Sequence, residues 1–79
     1  PNPYKNTTSI NLQLPTEAKV KAEVYSIHGS KVTTLCDRSF DKGFYRIDFS
    51  AKEQGYPAGV YVLVVTVDGK KFEYKLVEL

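Results

Sequence analysis

Apolar and polar positions alternate along most of this chain, and helical periodicity is hard to find in it. "TTSINLQL", Thr7 to Leu14, sets Thr8, Ile10, Leu12 and Leu14 on one side and Ser9, Asn11 and Gln13 on the other. That is the pattern of an antiparallel strand with one buried face, and Pro15, which cannot donate to a ladder, ends it. "AKVKAEVYSI", Ala18 to Ile27, repeats the device with Val20, Ala22 and Val24 inward and Lys19, Lys21 and Glu23 outward. A turn at His28-Gly29, where glycine takes positive φ without steric cost, returns the chain as Ser30 to Cys36. Asp37 to Gly43 carries the residues of a loop.

"FYRIDFSA", Phe44 to Ala51, alternates Tyr45, Ile47 and Phe49 against Arg46 and Asp48 and predicts a further strand. A Gly- and Pro-rich loop, Lys52 to Gly59, precedes "VYVLVVTV", Val60 to Val67, whose β-branched density predicts a central strand covered on both faces. Asp68-Gly69 is the strongest short-range hairpin signal in the chain. It leads into a last strand, Lys70 to Leu79, that closes the sheet and lies near its edge. Short strands at this spacing predict an all-β antiparallel sandwich of about seven strands.

Composition narrows the function. A chain of 79 residues makes one domain, and at this size only about 60% of the unfolded surface is buried on folding. Charges of both signs are interspersed, with no basic run longer than Lys70-Lys71, so no nucleic-acid partner is expected. No apolar run is long enough to span a membrane. The single cysteine, Cys36, excludes an internal disulfide and any zinc spacing. The opening "PNP" and the absence of Met predict a piece excised from a longer polypeptide, most naturally its C-terminal piece, with residues 1–6 as the end of an interdomain linker.

Chemistry is thin. His28 sits in a hairpin turn, Cys36 at a strand end, and the triple Ser26, His28 and Asp37 is of a kind that chance supplies in almost any chain. Asp37, Asp41 and Asp48 do not follow a calcium-loop spacing, and "NTT", Asn6 to Thr8, is only a short sequon. Tyr25, Phe40, Tyr56 and Tyr74 are candidates for stacking on sugar rings, set against the simpler reading that a small domain without Trp fills its core with Tyr. Neither an enzyme, a cofactor nor a metal is expected.

Several segments, taken in order, resemble one family. "PNP" is followed by "TTSINLQLP", "VKAEVYSIHGSKVTTL", "GFYRIDFSA", "PAGVYVLVV" and a lysine-led apolar ending, "KLV". The combination is similar to the C-terminal sorting domain of type IX secretion substrates, the Por secretion tail of Bacteroidetes, itself similar to the immunoglobulin-like domain of flagellar hook-capping proteins. The resemblance implies an immunoglobulin-like β-sandwich and a non-catalytic address. The carrier passes through the periplasm, is recognised by the type IX outer-membrane translocon, and reaches the cell surface or medium. In many members a surface sortase removes the tail and joins the cargo to anionic lipopolysaccharide.

Carried over residue by residue, "PNP" falls on Pro1, Asn2 and Pro3, "GxY" on Gly43 and Tyr45, "PAGVY" on Pro57, Ala58, Gly59, Val60 and Tyr61, and "KLV" on Lys75, Leu76 and Val77. Pro57 to Tyr61 and Lys75 to Val77 are the expected recognised elements, while Gly29, Gly43, Gly59 and Gly69 set turns. The chain departs from the family at Val64, where many members carry Arg or Lys, and at Glu78-Leu79, where many end on a basic residue. The alternative is an immunoglobulin-like accessory or spacer module of a polysaccharide-degrading enzyme with weak glycan affinity. An unpaired terminal edge would also suit an edge-strand homodimer.

Overall fold

The computed structural model describes residues 2–79, all of it strand, turn or irregular backbone. Six strands form: β1 (Thr8–Leu14), β2 (Ala18–Ser26), β3 (Lys31–Phe40), β4 (Gly43–Phe49), β5 (Gly59–Val67) and β6 (Lys70–Glu78). They make two antiparallel sheets, a four-stranded one ordered β3-β2-β5-β6 and a two-stranded one of β1 and β4, so the all-β sandwich holds with six strands in place of about seven.

The alternation explains the layers. Val20, Ala22 and Val24 of β2 and Leu63 and Val65 of β5 face inward and are buried, meeting Leu14 of β1 and Phe49 of β4 across the sandwich. Phe49, Leu63, Val20 and Val24 are the largest fully buried side chains, each worth about 1.5–3 kcal/mol by removal from water. Asp68 and Gly69, with φ of 48° and 84°, form the expected tight turn between β5 and β6, since a type I′ turn needs positive φ at both central residues. The Asp68 carboxylate also accepts the Lys19 N–H at 2.8 Å, and the Asp68 N–H donates to the Lys19 carbonyl at 2.9 Å, so the turn is tied to the neighbouring β2.

Two expectations are corrected. Asp37 to Phe40 belong to β3 and not to a loop, because they pair with β2 in the register Ala18↔Phe40 to Lys21↔Asp37. Arg38 lies over the ring of the buried Phe40 at 3.6 Å, and the turn shrinks to Asp41-Lys42. Strand β5 is covered on one face only: Tyr61, Leu63 and Val65 are buried, whereas Val60, Val62, Val64 and Thr66 are half-buried on the outside.

The smaller sheet is narrower by two strand spacings, roughly 10 Å. It therefore leaves the inner side of β6 overhanging. Phe72 and Tyr74, 39% and 49% exposed, line an apolar groove of about 270 Å³ with Leu12, Leu14, Pro15, Val65 and Val67.

Candidate functional site: three motifs on one strip

The segments expected to be recognised meet at one end of the larger sheet. Strand β5 begins where β6 ends, and their register places Gly59 opposite Glu78, Val60 opposite Val77, Tyr61 opposite Leu76 and Val62 opposite Lys75. "PAGVY" and "KLV", far apart in sequence, are thus cross-strand neighbours. Strand parity divides their side chains. Tyr61 and Leu76 point inward and are each 5% exposed; Val60 and Val77 stand half-buried and Lys75 exposed on the outer face, with Pro57 and Ala58 exposed in the preceding loop.

The opening segment covers the other side of β6. The Asn2 side-chain amide donates to the Lys75 carbonyl, and its oxygen accepts the Val77 N–H at 2.6 Å. Two residues on, the Tyr4 N–H donates to the Val77 carbonyl at 3.0 Å and the Leu79 N–H donates to the Tyr4 carbonyl at 2.8 Å, making a parallel bridge between Tyr4 and Glu78. Asn2 and Pro3 are exposed while Tyr4 is buried. Pro1 lies outside the described residues.

Glu78 anchors the strip from inside. It shares the inward parity of Leu76, is 4% exposed, and its two carboxylate oxygens accept the N–H groups of Ala51 and Lys52 at 2.8 and 3.1 Å. Two charge-assisted bonds to backbone donors compensate the burial of the carboxylate. They also fix the turn Ser50 to Tyr56, which leads into Pro57. The Tyr4 hydroxyl is buried without a hydrogen-bond partner. Its pKa is raised, first by burial and then by the Glu78 carboxylate beside it.

The G-x-Y pattern occurs twice, and both copies use the same device. The Tyr45 hydroxyl donates to the Asp41 carbonyl at 2.8 Å, and the Tyr61 hydroxyl donates to the Pro57 carbonyl at 2.5 Å. Each ties a strand to the residue four positions upstream, as a tyrosine corner does. The glycine two residues before each tyrosine, Gly43 at φ 149° and Gly59 at φ 150°, takes a conformation that side-chain-bearing residues avoid. Gly29 and Gly69, with φ of 89° and 84°, sit in the two hairpin turns.

A family model described as the secretion system C-terminal sorting domain matches residues 1–78. The chain belongs to this family of type IX sorting domains. No curated protein and no solved structure matches it. The match spans the whole of the strip.

The remaining sequence candidates form no joint site, although Tyr25 and Ser26 of β2 lie opposite Val62 and Tyr61 beside the strip. His28 occupies the β2–β3 turn, where Ser26 Oγ accepts the N–H groups of His28 and Ser30 at 3.3 and 3.2 Å. Cys36 is a free thiol, and burial raises its pKa. Among the described residues no group of three His, Cys, Asp or Glu side chains comes close enough to hold a metal ion. Of the aromatic candidates, Phe40 is buried edge-on against Tyr45 with ring centroids 4.7 Å apart, Tyr25 is half-buried, and Tyr56 and Tyr74 are exposed on different elements. Val64 stands on the outer face between Glu23 of β2 and Glu73 of β6. A basic residue in that register would therefore have a carboxylate on each side.

Sequence reasoning found the three motifs but not their junction. The anchoring roles of Tyr4 and Glu78 were missed. The available signal was the parity of Glu78 with Leu76, which aims a carboxylate inward from an otherwise apolar ending.

Proposed function

We propose that this sorting domain is the address of a larger secreted protein joined to its N-terminal side, and that it directs this cargo from the periplasm through the type IX outer-membrane translocon to the cell surface or medium. Pro57, Ala58, Val60, Lys75 and Val77 form the face that the translocon reads. Gly59, Tyr61 and Leu76 hold that face in shape from beneath. A surface sortase then acts on the exported chain.

The observation that carries this reading is the register of β5 and β6, which sets Val60 against Val77 and Val62 against Lys75. Two segments separated by a whole hairpin become one patch whose outward side chains are accessible and whose inward ones are core.

The test is to fuse the 79 residues behind a signal peptide and a fluorescent reporter, in a host with type IX secretion and in its translocon-deficient mutant. Surface or medium fluorescence confined to the competent host is the expected result. Periplasmic retention of folded fusion in both hosts, while a known tail is exported, would overturn it.

A further inference from the structure

The edge of β6 that carries the sorting motif is already occupied by the chain itself. Its outward-pointing backbone groups at Lys75, Val77 and Leu79 are taken by Asn2 and Tyr4. We infer that Asn2–Tyr4 is a displaceable placeholder: it masks the backbone edge of the signal in the resting domain, and an extended segment of the receptor takes its place when the signal is read. This rests on the sorting function proposed above.

The geometry is that of a strand partner in miniature. The Asn2 carboxamide presents one donor and one acceptor to Lys75 and Val77, as a peptide unit of an adjoining strand would, and Tyr4 supplies the next such pair from its backbone. The edge therefore accepts an extended polypeptide, and a partner adding to it as a strand must remove what is there.

The hold is uneven along its length. Tyr4 is buried, but Asn2 and Pro3 are exposed, so the Asn2 bonds compete with water and open most readily. Alternation along β6 points the backbone groups of Lys71 and Glu73 the same way as those of Lys75 and Val77, and the strap does not reach them. An incoming strand can pair first at Lys71 and Glu73 and then extend toward Leu79, displacing Asn2 before it meets the anchored Tyr4.

Asn2→Ala in the reporter fusion, with Asn2→Asp as a second variant, separates the possibilities. Aspartate keeps an acceptor for the Val77 N–H but loses the donor and turns a carboxylate toward the Lys75 carbonyl. Both changes are at an exposed residue and leave the core intact. Amide hydrogen exchange at Val77 is expected to quicken about tenfold in Asn2→Ala, with the Leu63 amide of central β5 unchanged. Initial export rate into the medium is expected to rise about two- to fivefold in both variants.

Unchanged exchange at Val77 would show that the strap has no separate opening and would overturn the inference. Faster exchange with equal or slower export would overturn it also, by making the strap scaffold or part of the recognised surface. Failure of the unaltered fusion to be exported, beside a working known tail, would instead remove the sorting reading and the masking role with it, whatever the exchange data show.

Discussion

At the scale of single residues, two tyrosines of equal burial have opposite fates. Tyr4 and Tyr61 are each 5% exposed, but the Tyr61 hydroxyl donates to Pro57 and the Tyr4 hydroxyl meets no partner. Tyr61→Phe removes a hydrogen bond that closes the corner and leaves the Pro57 carbonyl short of a donor, at a cost of about 1 kcal/mol. Tyr4→Phe removes a desolvated hydroxyl from beside a buried carboxylate and is expected to be neutral or stabilising by up to about 1 kcal/mol. For a domain of this size 1 kcal/mol moves the thermal midpoint by roughly 4–8 °C. Melting the two variants beside the unaltered domain should give shifts of opposite sign, or no shift for Tyr4→Phe. A fall for Tyr4→Phe as large as that for Tyr61→Phe would mean that the Tyr4 hydroxyl is satisfied. Glu78 belongs to the same corner, and its substitution by Ala strands the Ala51 and Lys52 N–H groups. A loss of about 2–3 kcal/mol is expected in denaturant titration, with Glu78→Gln losing less because one acceptor survives.

Between elements, the β2–β3 pair carries the clearest pH dependence. Glu23 on β2 sits 3.0 Å from Lys31 and 3.7 Å from Lys21, its side chain only 12% exposed. The hydrogen bond from Lys31 is the main reason its pKa lies below 4.5, the ordinary value. A carboxyl that holds its proton less tightly folded than unfolded contributes in full above about pH 4.5, and loses that contribution as the pH falls through the lower folded value. Both lysines are half-exposed, so Glu23→Gln should cost only about 0.5 kcal/mol at pH 7. The gap between variant and unaltered domain should close in acid; a gap that persists at pH 2 would assign the loss to packing. This pair also shows where the sequence stops being legible. Strands β1, β2, β4 and β5 declare themselves because one face of each turns to the core, but β3 is an edge strand with bulges opposite Ala22–Glu23 and Val24–Tyr25. The bulges fall at Val32 and Leu35, whereas Asp37 to Phe40 pair regularly beyond them; Asp37, Arg38 and Ser39 are all exposed there, so these turn-type residues look like loop. On the outer face of β5, Val60, Val62 and Val64 are apolar without being covered, which composition cannot distinguish from a doubly buried strand. The docking of Asn2 on Lys75 and Val77 depends on the assembled sheet, and no local pattern announces it.

For the whole molecule, the fold and the proposed signal share one strand, and this decides how the function can be tested. A domain of 79 residues has a total stability of roughly 4–12 kcal/mol. Its radius of gyration of 12.5 Å slightly exceeds the roughly 12 Å expected for a chain of this length, in keeping with a slab 36 × 22 × 17 Å whose smaller sheet covers only part of the larger. Deleting Lys70–Leu79 removes Leu76 and Glu78, uncovers Leu63 and Val65, and releases Asn2 and Tyr4. The truncated chain is expected to show no cooperative melting, so lost export would report unfolding as much as a lost signal. Outward residues of the same strand separate the two. Lys75→Glu changes an exposed charge and should alter stability by no more than about 0.5 kcal/mol, whereas Leu76→Ala, one position away and facing inward, should cost about 2–5 kcal/mol. If the outer face is what the translocon reads, Lys75→Glu abolishes surface delivery while its melting curve overlays that of the unaltered domain. Leu76→Ala then reduces delivery only in proportion to the folded fraction. Normal export of Lys75→Glu would remove this residue from the recognised face, and full export of an unfolded Leu76→Ala chain would mean that the signal is a linear segment and not a surface of the sandwich.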